Sequence, residues 1–105
     1  MYKIKFTKAY KKSYKRILKR GLDISLLDNV IDKLSKGQPL EEKYKDHQLK
    51  GEFSNFRECH IKPDWLLIYL IEDDFLTLTL VDTGSHSDLL NLWPPKKGGF
   101  LRINL

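Results

Sequence analysis

The chain has a single cysteine, Cys59, so it has no internal disulfide. One thiol suits a reducing compartment, and a cytoplasmic location is expected. The longest apolar run, "WLLIYLI" from Trp65 to Ile71, is far shorter than the roughly 20 residues that cross a bilayer. No membrane partner is expected. The basic N-terminus is not followed by the apolar core of a signal peptide. There is no GxGxxG, and no Gly-rich loop ends in Lys-Ser or Lys-Thr. Both common nucleotide-cofactor fingerprints are therefore missing, and no cofactor is expected. Internal repeats and low-complexity stretches are lacking too. Two further gaps are positional: residues 1–20 contain no acid, and residues 1–46 contain no histidine.

The 105 residues that remain to be explained suit one domain. A chain of this size buries roughly 60–70% of its surface on folding, enough for a core without staples. The net charge is 19 − 14 = +5. Nine of the Lys and Arg residues lie within the first 20 positions. The positive field therefore comes from one N-terminal element. It is either a solvated lysine face or an attractor for nucleic acid or an acidic protein.

"YKIKF" alternates, with Tyr2, Ile4 and Phe6 on one side, and predicts a short strand. Thr7 then caps a helix whose apolar stripe is Tyr10, Tyr14, Ile17 and Leu18, ending at Gly21. Asp23 caps a second helix carrying Leu26, Leu27, Val30, Ile31 and Leu34, ending at Gly37. The short "GLD" connection makes the pair antiparallel. Residues 38–55 show no clean period and read as a loop. "FRECHI", "WLLIYLI" and "FLTLTLV" read as three strands joined by the turns "KPD" and "EDD". "WLLIYLI", apolar on both sides, reads as the central strand. A last short helix is expected at "SHSDLLNL", capped by Ser85. The expected class is α+β: a helix pair on one face of a mostly antiparallel sheet, with the other face open to a substrate.

The histidines gather late. His60 shares a strand face with Glu58, Asp64 follows across the turn, His47 precedes the hairpin and His86 follows the last strand. Three readings fit. Three imidazoles and a carboxylate suit Zn²⁺, although short-spaced His pairs are missing. Each histidine taken singly fits an ordinary loop, strand or helix-start role. Together they suit metal-free acid–base cleavage of RNA. There the 2′-hydroxyl attacks the neighbouring phosphate, and near-neutral imidazoles move both protons.

The blocks "YKDHQLKG", "FRECHIKPDWLLIY" and "TGSHSDLL" resemble the YafQ-like branch of the RelE/ParE toxin superfamily. The resemblance runs to about Leu90. It implies the toxin half of a bacterial type II toxin–antitoxin pair, cutting mRNA in the ribosomal A site without metal and blocked by a cognate antitoxin. By resemblance, His47, His60, Asp64 and His86 carry or support proton transfer. Glu58 and Trp65 support the site. Lys8, Lys11, Lys12, Lys15, Arg16, Lys19 and Arg20 become the RNA-binding face.

Two supporting positions depart from the family pattern. Asp82 stands where the family usually has an arginine that binds the scissile phosphate. Held about 4 Å from a phosphate, its charge would cost on the order of 4 kcal/mol at an effective dielectric of ~20. That raises the alternative of a weakened or inactive member that retains antitoxin or RNA binding. Leu90 stands where an aromatic is usual. Relatives of this kind stop near that point, which makes residues 1–90 the toxin domain and 91–105 a C-terminal extension. This extension is expected to be irregular, or to add a short strand at "FLRIN".

Overall fold

The computed structural model describes residues 1–92. The tail, including "FLRIN", and the side chain of Leu90 lie outside that description. The elements are β1 (Lys3–Phe6), α1 (Lys8–Lys19), α2 (Ile24–Ser35), β2 (His47–Gln48), β3 (Arg57–Lys62), β4 (Trp65–Glu72), β5 (Thr77–Gly84) and α3 (His86–Leu92).

The expected caps form. Thr7 Oγ1 accepts from the Tyr10 amide at 2.9 Å, and Asp23 Oδ1 accepts from the Ser25 amide at 3.0 Å. Gly21 follows α1 with φ +75°, a left-handed angle that a side chain would strain. The stripe of α1 differs by one position: Ser13 is buried beside Tyr10 and Ile17, while Leu18 is half exposed.

One five-stranded sheet runs β1-β5-β4-β3-β2. β1 pairs with β5 in parallel, and the other neighbours are antiparallel. The fifth strand is the difference from the sequence reading. It is a two-residue piece, His47–Gln48, inside the expected loop. Two residues carry no period, so only their pairing with Glu58 and Arg57 reveals them. β5 also begins later than expected. Asp73–Phe75 form a 3₁₀ turn and Leu76 takes φ +47°, so Leu76 is exposed and not on the core face.

Alternation along β4 divides the core. Trp65, Leu67 and Tyr69 meet Tyr10, Ile17, Leu27 and Val30 under the helices. Leu66 and Ile68 meet Phe56, Val81 and Leu89 on the opposite side. The expected open face is thus covered by α3, and every residue of β5 is buried. The seven-residue α3 brings Leu89 over that face.

Candidate active site

β2, β3, the β3–β4 turn and the start of α3 carry the site. Glu58 and His60 lie two apart on β3 and share a side of the sheet. The pairing of β2 sets His47 directly opposite Glu58. Their side chains approach to 3.5 Å between Nε2 and Oε1. The other ring nitrogen of His47, Nδ1, lies 2.7 Å from the Lys45 carbonyl oxygen. That carbonyl belongs to a residue at φ +48°, so a left-handed kink aims it at the ring. A carbonyl only accepts, so His47 Nδ1 is the donor.

His86 opens α3. Asp64, at the β3–β4 turn, accepts from both the His86 amide (2.8 Å) and His86 Nδ1 (2.6 Å). The expected His60–Asp64 contact is therefore replaced by a His86–Asp64 pair, while His60 Nδ1 faces the Pro63 carbonyl at 3.4 Å. The two bonds from His86, the amide first, hold the Asp64 carboxyl below its ordinary range. Asp64 is a carboxylate at neutral pH and fixes Nδ1–H on His86, leaving Nε2 to the solvent. The His60 and His86 rings lie 5.6 Å apart and tilted by 55°. Two histidine–carboxylate pairs, His47–Glu58 and His86–Asp64, thus stand on either side of His60.

The start of α3 is clamped. Asp88 Oδ2 accepts from the Ser85 amide at 3.0 Å, and Ser85 Oγ accepts from the Asp88 amide at 3.1 Å. This is a reciprocal capping box. Arg20 reaches from α1 to the same carboxylate with two bonds, 2.5 and 2.9 Å. Arg20 first, then Ser85, holds the Asp88 carboxyl far below its ordinary range. Asp88 has no place in the sequence reading above, although Ser85-x-x-Asp88 carries the capping-box spacing that signals it. Arg20, expected among free RNA-binding cations, is instead engaged here. Lys8, Lys11, Lys12, Lys15 and Lys19 are exposed, and Arg16 is partly so.

Trp65 is 3% exposed and donates Nε1–H to Thr83 Oγ1 at 3.1 Å. It is a core residue under the site and offers no open ring face to a substrate. Cys59 is wholly buried, and burial first of all pushes its thiol up to about 12, so it is no nucleophile. Among the described residues, no three His, Cys, Asp or Glu side chains are grouped to share a metal ion.

Asp82 does not face the histidines. A bulge interrupts the β4–β5 register, which passes from Ile68 opposite Asp82 to Tyr69 opposite Leu80. Val81 is the extra residue, and a bulge of this kind bends its strand. Asp82 is 3% exposed and accepts from Ser13 Oγ on α1 at 2.6 Å and from the Thr83 amide at 2.8 Å. Burial raises its pKa despite these two bonds and the nearby Arg16 charge. A raised carboxyl contributes stability below its unfolded value, about 4, and loses it as pH rises through the folded one. Asp82→Asn keeps an oxygen acceptor and removes the buried charge. It is expected to raise stability at pH 7, with the gain shrinking toward pH 4. Thermal melts of both proteins across that window check it.

The fold and the site together define a small α+β protein with a histidine–carboxylate cluster at one end of its sheet. The family described as bacterial toxin of type II toxin-antitoxin system, YafQ, matches residues 2–91. The mRNA interferase toxin YafQ of Escherichia coli K12 is 36% identical over 87 residues, covering 82% of this chain and 92% of that protein. A metal-bound toxin from Helicobacter pylori superposes with a TM-score of 0.80 at 49% identity, covering 85% of this chain and 99% of the other. YafQ in the E. coli DinJ–YafQ toxin–antitoxin complex gives 0.77 at 35% identity, covering 84% and 96%. The chain belongs to the YafQ family of bacterial type II toxins.

Proposed function

We propose that this chain is a ribosome-dependent mRNA endoribonuclease, the toxin half of a type II pair, acting in the cytoplasm and held in check by a cognate antitoxin. The observation that carries the reading is the pair of histidine–carboxylate couples flanking His60. The similar E. coli proteins are named mRNA interferase toxins, and one is crystallised with DinJ.

In the reaction, a base takes the proton of a 2′-hydroxyl, the O2′–P bond forms and the P–O5′ bond breaks. An acid returns a proton to O5′, leaving a 2′,3′-cyclic phosphate and a free 5′-hydroxyl. His86, oriented by Asp64, presents Nε2 for one proton transfer. His60, 5.6 Å away between ring centres, is suited to the other. A phosphate placed between two imidazoles meets both transfers without rearrangement, and each transfer is worth roughly 10²–10⁴ in rate. His47, fixed by Lys45 and Glu58, borders the same space. One histidine accepts the 2′-hydroxyl proton and the other donates a proton to O5′, so the scheme needs no metal.

The exposed lysines of α1 supply a sequence-independent attraction to rRNA. Binding to ribosomes is expected to weaken steadily as salt rises, and Lys8→Glu with Lys12→Glu should flatten that dependence. A filter-binding series over salt concentration measures it.

The weakened-nuclease reading keeps one specific support. Position 82 provides no cation, and Arg20 and Arg57 are both held in ion pairs. The deciding experiment incubates the protein with ribosomes carrying a defined mRNA in EDTA-treated buffer, with only the Mg²⁺ that ribosomes need. A cut within the A-site codon ending in a cyclic phosphate is expected. An intact message, from protein verified as folded, overturns the nuclease reading and leaves a family member that binds without cutting.

A further inference from the structure

A cavity of about 620 Å³ opens directly beside His60, between the 3₁₀ turn Glu42–Tyr44 and the β3–β4 turn. Its size falls in the range of about 300–1,000 Å³ usual for small-ligand sites. Its walls are Leu26, Tyr44, Ile61 and Pro63, and its rim carries Lys43, Lys45 and Lys62. No carboxylate lines it. Among the described residues the three lysines form no ion pair, although the charge of Asp23 at the start of α2 reaches Lys62. Lys43 Nζ lies 5.2 Å from the centre of the Tyr44 ring, which brings a cation and an aromatic face together.

We infer that this cavity is a nucleotide subsite: it takes one base of the RNA next to the bond that is cut, against Tyr44, and its phosphate on the lysine rim. The inference rests on the nuclease reading and names where the neighbouring nucleotide lies. Apolar walls with one aromatic ring suit a base of any sequence, because every base has a face to stack. Three unpaired ammonium groups and no acid suit a phosphate. The left-handed kink at Lys45 ties the cavity to catalysis, since the same turn presents the carbonyl that fixes His47. A nucleotide seated here lies against His60, the shared member of cavity and site.

The test uses a short oligonucleotide with 2′-deoxy sugars, which binds but cannot be cut, titrated into the whole protein without ribosomes and followed by NMR. Shifts at Tyr44, Ile61 and Lys62 are expected. Tyr44→Leu, which preserves packing against the core, should weaken this binding by roughly 5- to 100-fold, the size of one lost stacked base. Tyr44→Phe should restore it. In the ribosome assay the same loss should appear mainly in KM. Shifts at Tyr44 with no cleavage by the wild type would keep the subsite and sink the nuclease reading. Cleavage with no shifts at Tyr44, or an unaffected Tyr44→Leu variant, overturns the subsite. Shifts there with an antitoxin peptide and none with the oligonucleotide would make the cavity a protein-binding site and overturn it equally.

Discussion

His86→Ala is expected to lower cleavage of ribosome-bound mRNA by roughly 10²–10⁴ while leaving the fold intact. The size follows from losing one proton transfer. The intact fold follows from the position: the imidazole is exposed at the start of α3, and the backbone bond from residue 86 to Asp64 survives the substitution. Stability should change by no more than about 0.5 kcal/mol, as for other surface positions. Asp64→Asn separates orientation from proton transfer. It keeps an oxygen near His86 but no longer dictates that Nδ1 be the donor, so a loss of kcat with little change in KM is expected. Full activity in His86→Ala would remove this residue from the mechanism. Single-turnover cleavage rates, with circular dichroism as the check on folding, measure both variants.

Asp46→Ala is expected to destabilise the protein by about 2–3 kcal/mol and to impair cleavage as well. Asp46 stands beside the candidate His47 in the sequence, and in the fold it ties its own loop to β3 and β4. It accepts from Arg57 Nη2 on β3 at 3.1 Å and from the Tyr69 hydroxyl on β4. Tyr69 is 1% exposed, so losing the carboxylate leaves its hydroxyl without an acceptor for its proton, with Arg57 as its remaining partner. The cost stays below that of a fully buried ion pair because Arg57 retains contact with water. Asp46 also directly precedes His47, so the same variant loosens the loop that brings His47 to Glu58. A fall in Tm of about 10–20 °C is expected from thermal melts. Asp46→Asn, which keeps oxygen acceptance, should lose less. Equal stability of wild type and Asp46→Ala would show that this carboxylate does not hold the loop.

These two predictions lean on the sequence to different degrees. His86 stands out from the residues alone, because "TGSH" places an imidazole just after a strand end and directly after the helix-capping Ser85. Asp46 does not, because its partners are 11 and 23 residues away and meet it only when β2, β3 and β4 are assembled. Asp82 is the sharper case. Strict alternation places it on the face of Leu78 and Leu80, and the resemblance places it against a phosphate. In the fold it lies on the helix side, as alternation has it, and meets Ser13 of α1, where its charge costs stability and does not confront RNA.

The sequence by itself determined the order of elements, both helix caps, the central place of β4 and the stretches that carry the histidines. Those features are local, written in periods of two and 3.6 residues, in Gly and Pro punctuation and in capping side chains. Tertiary structure decided which histidine each carboxylate serves, that α3 closes the face expected to be open, that Arg20 is spent on Asp88, and that a lysine-rimmed cavity opens beside His60. Each of these depends on strand register, a bulge or the approach of distant elements. A shift of one residue in register reverses a side chain's face, and no local pattern in this chain fixes that register at β2 or at Val81.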